Sequence, residues 1–314
     1  MLYDWRSNTE QLLPNVPNGV RVSYPMSGTG ILLPLSAENG YTAEVMLCGG
    51  SSIDDSRAGY EISSDEVASS QCSRITLSVE GIKRGWSVEF MPEARVMLDA
   101  VMLPDGKIVI INGAGSGIAG YGNVKNQVGQ SNAAHPVMRP ILYDPSTPLG
   151  TRFSTGLPTS NIPRLYHSVA SLTPNGSIMI AGSNPNLDRS NTKFPTEYRV
   201  EWLMPPYMDM ERPRYEGLPA SIEFGKNFTV TSGYLATAKR IQGRLFTLVL
   251  HRAGCQCSTS VSFRSRFCNT RHPHERTTRL SFRKHLFGLQ VSSNLWAHQF
   301  SHIPSRACVA LSSD

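Results

Sequence analysis

The chain has 314 residues, of which 40% are hydrophobic and 17% charged, a balance typical of a globular protein. Glycine (26) and proline (21) are abundant, which favours many short strands and turns over long helices. No apolar run reaches the roughly 18 residues of a transmembrane helix. The stretch Met1–Trp5 has no basic segment followed by an apolar one, so we expect no signal peptide in this chain.

Charge is distributed unevenly. Residues 1–238 contain 18 Lys and Arg against 22 Asp and Glu, whereas residues 239–314 contain 12 against 2. A basic tail can contact nucleic acid or a membrane surface. Because this segment shows neither strand nor helix periodicity, we expect either an out-of-frame or mis-spliced segment or a disordered basic tail. We predict no nucleic-acid partner and no membrane partner.

A strand–turn–strand unit recurs along the chain. Its weakest copy runs from Gly30–Leu35 through a longer loop to Val45–Gly50. The clearer copies turn at Asp105-Gly106 and at Asn175-Gly176, where we predict two-residue hairpin turns of the primed type. The strand after each turn is almost entirely apolar, which predicts burial on both faces.

The three units end in glycines at a regular period. Gly50, Gly113 and Gly182 are separated by 63 and 69 residues. Strand pairs that end in glycine at such a period indicate an all-β fold, namely part of a kelch-type β-propeller with long insertions.

The repeated strand–turn–strand pattern ends after residue 191. Tyr198–Trp202 is predicted to be the last propeller strand, and Pro205-Pro206 belongs to a linker. Ser221–Gly225 and Phe228–Thr231 are predicted as the opening strands of a β-sandwich. We therefore divide the chain into a partial propeller (1–203), a linker with an incomplete sandwich (204–238) and the basic tail (239–314).

Four segments carry a family resemblance. Pro17–Val22, Leu47–Gly50, Asn112–Asn123 and Arg164–Ser168 resemble the glyoxal oxidases, the fungal and plant branch of the galactose-oxidase-like copper radical oxidases. The likeness extends from about residue 4 to residue 230, and the fungal branch is the closer match.

The resemblance implies a fold and an activity. The fold would be a seven-bladed propeller followed by an immunoglobulin-like β-sandwich, in a secreted, extracellular enzyme with one copper ion. The activity would be oxidation of small aldehydes, of the glyoxal and methylglyoxal type, with reduction of O₂ to H₂O₂.

The same resemblance implies the roles of single residues. Tyr166 would be the axial tyrosine, a copper ligand and the proton acceptor, and His167 would be a second ligand. The cross-linked Cys–Tyr cofactor of the family lies upstream of this chain, and only His251 falls where the second histidine should be, with neighbours that do not match. We therefore expect a fragment of the enzyme with an incomplete site, inactive on its own. The alternative is a non-catalytic propeller module that binds other molecules.

Tyr166 and His167 are adjacent, so on a regular strand their side chains would point to opposite faces. Both can reach one metal only if the backbone bends or the strand ends on the propeller axis. An imidazole suits Cu(II), and a phenolate can complete a tetragonal site. The alternative is a core tyrosine next to a hydrogen-bonded histidine.

Gly115–Gly120 spells the pattern G-x-G-x-x-G after a strand. A dinucleotide site would need a helix next, and no helical apolar period follows. We therefore predict a long loop near the propeller face. In the resembled family this loop lies close to the copper, so Tyr121 is expected to line the substrate entrance.

Cys48 and Cys72 would form a disulfide in a secreted protein, and two free buried thiols are the alternative. Cys255, Cys257 and Cys268 lie near two histidines in the tail, but their spacing does not fit the usual zinc pairs.

Overall fold

The computed structural model describes residues 1–36 and 39–210, residue 221, and the backbone of three short strands beyond residue 214. The chain divides into two compact units. The first contains the described residues up to Pro205, and the second begins at Pro206.

The first unit is nearly all β. Its one α-helix among the described residues is α1, Val79–Arg84, and Pro17–Gly19 and Gly59–Glu61 form single 3₁₀ turns. None of the described helices is long and apolar enough to cross a bilayer. The strands are β1 Leu2–Asp4, β2 Thr9–Gln11, β3 Thr29–Leu32, β4 Glu44–Cys48, β5 Gln71–Thr76, β6 Ser87–Phe90, β7 Asp99–Met102, β8 Ile108–Ile111, β9 Ala114–Tyr121, β10 Ser131–Pro136, β11 Ile141–Tyr143, β12 Phe153–Ser154, β13 Ser168–Leu172, β14 Ile178–Gly182 and β15 Glu201–Leu203.

Three antiparallel sheets follow one another along the chain. Sheet I is β3-β4-β5-β6, sheet II is β7-β8-β11-β12 and sheet III is β13-β14-β15. The hairpin β9–β10 is inserted between the second and third strands of sheet II, and β1 and β2 form a separate two-stranded sheet. The predicted strand pairs of all three units are confirmed. Burial of the second strand is complete in β8 and partial in β14.

The predicted two-residue hairpin turns are wrong. Gly106 N donates to Leu103 O (3.0 Å) and Leu103 N donates to Lys107 O (2.8 Å), which closes a three-residue loop. The same pattern recurs at Gly176. Both primed turns need a positive φ at the first central residue, and here only the glycines in the second place, at +82° and +95°, have one. A proline opens each loop, and its fixed negative φ selects the type I turn followed by a left-handed glycine.

The three periodic glycines occupy equivalent places. Gly50, Gly113 and Gly182 have φ of +85°, +96° and +73°. A Cβ on each would lie 2.0–2.5 Å from the carbonyl oxygen of a residue that precedes the first strand of its own sheet, namely Arg21, Val96 or His167. Glycine is required because the backbone must adopt a left-handed conformation in close contact with a second backbone segment.

The main core lies between sheets I and II. Both sheets contribute buried side chains to it: Ile31, Leu33, Met46, Cys48, Cys72, Met91, Leu98, Ile108, Ile110, Ile141 and Tyr143. A smaller cluster combines Ala114 and Ala133 of the inserted hairpin with Leu165 and Phe194. This cluster fixes the hairpin beside the segment that leads into sheet III.

The second unit contains a 3₁₀ turn, Pro206–Asp209, and a sheet in the order β16 Tyr215–Glu216, β17 Phe228–Ser232, β18 Ser258–Val261. The predicted strand at Phe228–Thr231 is therefore confirmed, whereas most of Ser221–Gly225 lies outside the described residues. Within the basic tail, for which the sequence showed no strand periodicity, β18 pairs with β17 along its whole length. Pairing with a neighbouring strand supplied what the local sequence pattern lacked.

Candidate functional site

Tyr166 and His167 form the centre of a β-turn rather than part of a strand. Ser168 N donates to Leu165 O (3.1 Å), and β13 begins only at Ser168. His167 has a φ of +65°, the left-handed value expected at the third position of a type II turn. The two ring centroids are 3.9 Å apart. Tyr166 and His167 therefore do not lie on a regular strand with their side chains on opposite faces, because the backbone bends and brings both rings together.

Buried groups anchor this turn on its N-terminal side. Leu165 is fully buried, and its N–H donates to Ser183 Oγ (2.9 Å). The buried Arg164 donates from Nε to Glu201 Oε2 (2.7 Å) and from Nη1 to Gly182 O (2.7 Å). A guanidinium that is both buried and paired holds its surroundings in one geometry. The turn therefore extends from a rigid base.

The imidazole of His167 is exposed and oriented by a single hydrogen bond. Its Nδ1 lies 3.2 Å from Asn184 O. A carbonyl oxygen can only accept, so Nδ1 must carry the hydrogen. The lone pair of the neutral ring is then on Nε2, the form in which histidine binds metals. No hydrogen-bond partner of Nε2 occurs within the described part of the chain.

The phenol of Tyr166 is half-buried among other tyrosines. Its ring centroid is 6.2 Å from that of Tyr121. Burial raises the pKa of the Tyr166 phenol above its usual value, and the nearby Tyr24 and Tyr121 raise it further. The phenol is therefore neutral at pH 7 unless a cation stabilises the phenolate.

Tyr121 reaches the site from the inserted hairpin. It is the last residue of β9, which contains the whole Gly115–Gly120 pattern. The prediction of a loop there is wrong, because β9 pairs antiparallel with β10. The prediction that no helix follows is right, which removes the geometry of a dinucleotide site. The structure places Tyr121 beside Tyr166.

Cys48 and Cys72 are joined by a disulfide. They are directly opposite each other on β4 and β5 and belong to the core between sheets I and II. The disulfide is thus a structural element of sheet I and makes no part of the Tyr166–His167 turn.

Sequence reasoning missed Tyr24 and Asn184. Asn184 N donates to Tyr166 O (2.8 Å), so one residue binds the main chain of Tyr166 and the side chain of His167. The polar run Asn184-Pro185-Asn186 directly after β14 was the available signal. His251 and the cysteines of the tail lie outside the described residues. Within the described ranges no three His, Cys, Asp or Glu side chains cluster as a metal site.

Comparison with known proteins gives a consistent result. The family model described as "Glyoxal oxidase N-terminus" matches residues 1–207. Aldehyde oxidase GLOX1 of Arabidopsis thaliana is 38% identical over 228 residues, which is 69% of this chain and 35% of that protein. Aldehyde oxidase GLOX of Vitis pseudoreticulata is 36% identical over 236 residues, 73% of this chain and 42% of that protein.

The chain thus spans well under half the length of these curated relatives. Among solved structures, a fungal alcohol oxidase of the AA5 family in complex with copper is 21% identical, with a TM-score of 0.45. That similarity covers 66% of this chain and 38% of the other.

Proposed function

The chain belongs to the glyoxal oxidase family, and on that premise we propose that it is part of a copper-dependent oxidase of small aldehydes in which Tyr166 and His167 bind the metal. The observation that carries this proposal is the turn Leu165–Ser168, which presents a phenol and an imidazole side by side.

The donor chemistry of the turn fits copper. A neutral imidazole with a bare Nε2 and a phenol that can ionise are ligands suited to Cu(II) in a tetragonal site. A bound cation would oppose the effects that raise the pKa of Tyr166 and would favour its phenolate. The turn alone would bind copper weakly, and two further ligands would complete the site. We propose that the other parts of the enzyme supply them, a second histidine and the cross-linked tyrosine.

Copper, when bound, would supply the one-electron chemistry that couples oxidation of an aldehyde to reduction of O₂ to H₂O₂. The chain's own residues would handle proton and substrate. Tyr166, as the phenolate that a bound cation would favour, would take up the proton that leaves the aldehyde hydrate and become the neutral phenol. Tyr121 would border the entrance and limit access of water to Tyr166.

We propose that sheets I, II and III are successive blades of the propeller. Their first strands pack next to one another, β3 beside β7 and β7 beside β13. Sheets II and III each have an equivalent buried arginine before their first strand. Near the end of the second strand, Arg95 donates to Asn112 O in sheet II and Arg164 donates to Gly182 O in sheet III. Converging first strands and repeated anchors are what a radial array of blades requires. The immunoglobulin-like sandwich after residue 205 stays a prediction.

An extracellular location belongs to the same proposal. A buried disulfide persists in an oxidising compartment and is rare in the cytosol. Small aldehydes and O₂ would be the only partners that catalysis needs.

Titration of the full chain with Cu(II) tests the metal site. We expect a visible phenolate-to-copper charge-transfer band that Tyr166→Phe abolishes, and weaker binding in His167→Gln. His135→Gln is a matched control, because His135 is also exposed and also has a positive φ, +56°. Equal copper binding by the two histidine variants would exclude His167 as a ligand.

The second candidate, a non-catalytic binding module, has one observation in its favour. Three alternate residues before and within β15, Tyr198, Val200 and Trp202, expose large apolar side chains. A contiguous exposed apolar surface often marks a protein interface. This candidate predicts that the Tyr166→Phe and His167→Gln variants keep every binding property of the wild type.

A further inference from the structure

We propose that the loop of residues 183–197 is a positioning device for His167, in which Thr196 and Asn186 hold Asn184 so that its main chain fixes the tautomer and orientation of the imidazole. This inference rests on the proposed function in one respect, since it assigns the purpose of the device to metal binding through Nε2.

Asn184 is the link between the loop and the turn. Its N–H donates to Tyr166 O (2.8 Å), and its carbonyl oxygen accepts from His167 Nδ1 (3.2 Å). The N–H and the carbonyl belong to the two peptide groups that flank the Cα of Asn184, so a displacement of Asn184 would disturb both proposed ligand residues. An acceptor at Nδ1 is the usual way in which a protein fixes the tautomer of a metal-binding histidine.

The side chain of Asn184 is itself held from two directions. Thr196 Oγ1 donates to Asn184 Oδ1 (2.9 Å), and Asn186 Nδ2 lies 3.5 Å from the same oxygen. Ser190 N donates to Thr196 Oγ1 (3.0 Å), so the single hydroxyl hydrogen of Thr196 is directed to Asn184. The hydroxyl of Thr196 thereby connects the far side of the loop to the acceptor of His167.

Asn186 closes the loop upon itself. It is almost completely buried, and its Nδ2 donates to Phe194 O (2.8 Å). Phe194 packs in the same apolar cluster as Leu165, the residue just before Tyr166. The loop and the turn therefore pack against the same apolar cluster. A displacement of residues 190–196 would alter the hydrogen bonds of Asn184 and thereby the position of His167.

The positioning hypothesis and the alternative, that the loop only fills space, predict different effects of a mutation in the loop. Loss of a space-filling contact lowers the stability of the protein but leaves the tautomer of His167 unchanged. Loss of the Thr196 hydroxyl should free the Asn184 peptide and let the imidazole exchange between tautomers.

The test compares Thr196→Val, Thr196→Ser and the wild type, all as the full chain. Long-range ¹H–¹⁵N spectra of the copper-free protein report which nitrogen of His167 carries the hydrogen. We expect the Nδ1–H form in the wild type and in Thr196→Ser, and a mixture in Thr196→Val. With Cu(II) alone as the probe, the dissociation constant should rise about tenfold in Thr196→Val and recover in Thr196→Ser.

Thr173→Val is the matched control outside the loop, because the Thr173 hydroxyl bonds Asn175 and Ser177 of its own turn. It should retain the wild-type tautomer. A pure Nδ1–H form in Thr196→Val, or an equal change in Thr196→Val and Thr173→Val, overturns the proposal. If Thr196→Val does not fold, Thr196→Ala is measured in its place against the same criteria.

The two proposals can fail separately. An Nε2–H form in the wild type overturns the positioning inference whether or not copper binds. An Nδ1–H form that depends on Thr196, in a chain that does not bind Cu(II), supports the positioning of His167 and contradicts the proposed metal site.

Discussion

Gly182 is the position at which a small change should test the geometry of the turn most directly. Its φ is +73°, and a Cβ built on it would lie 2.5 Å from the carbonyl oxygen of His167. Gly182→Ala therefore meets two penalties. An alanine in the left-handed region costs about 1 kcal/mol, and the overlap with a backbone atom costs about 1–3 kcal/mol more.

Gly150→Ala separates these two penalties. Gly150 has a similar φ, +85°, but a Cβ there would meet nothing within 4 Å. We expect Gly150→Ala to lower the free energy of unfolding by about 1 kcal/mol and Gly182→Ala by about 2–4 kcal/mol, both measured by urea denaturation.

The overlap at Gly182 is with His167, a proposed copper ligand, so it should also disturb the site. Gly182→Ala should weaken Cu(II) binding and alter the imidazole spectrum of His167, whereas Gly150→Ala should do neither. Equal loss of stability in the two variants, with an unchanged His167 spectrum, would refute the close approach of Gly182 to His167.

Three further predictions concern stability. Arg164→Met should lower the free energy of unfolding by about 3–5 kcal/mol, because it removes a buried and paired charge. Arg199→Met should cost much less, because Arg199 is exposed and an exposed ion pair contributes little. Equal losses in urea denaturation would contradict the anchoring role of Arg164. Burial raises the pKa of Asp99 from 3.8 to about 6, so between these pH values the folded state binds a proton that the unfolded state has lost. The free energy of unfolding should therefore fall by at most about 3 kcal/mol as the pH rises from about 4 to above 6. Asp99→Asn should flatten this part of the plot of stability against pH, and an unchanged slope would show that Asp99 is not its source. Replacement of both Cys48 and Cys72 by alanine opens a loop with a sequence separation of 24 and should cost about 3 kcal/mol in thermal or urea unfolding, and an unchanged midpoint would contradict the contribution of the disulfide.

The strands of the three sheets could be predicted because their signals are local. An apolar run such as Ile108–Ile111, preceded by Pro-Asp-Gly, already contains the strand and its turn. The type of turn was nevertheless predicted wrongly, because the Asp-Gly pair was weighed without the proline before it. The Asp-Gly pair correctly indicated the position of the turn, and the preceding proline determined the type of turn.

The pattern Gly115–Gly120 shows a different limit. A loop was predicted there because no helical apolar period follows the glycines, and a strand was not considered. In the structure they form β9, where a Cβ on Gly117 would lie 2.3 Å from the carbonyl oxygen of Asn132. Close approach to another backbone segment requires glycine at position 117, and that segment is 15 residues further along the chain.

The sequence by itself determined that this chain is built from repeated strand pairs, and it identified Tyr166 and His167 as the residues of chemical interest. Only the tertiary structure decided that their rings lie on the same side. That outcome depends on the positive φ of His167, on the absent side chain of Gly182 against its carbonyl, and on the Asn184 main chain that binds both residues. These contacts join residues 15 or more positions apart, so no local pattern of apolar and polar residues encodes them.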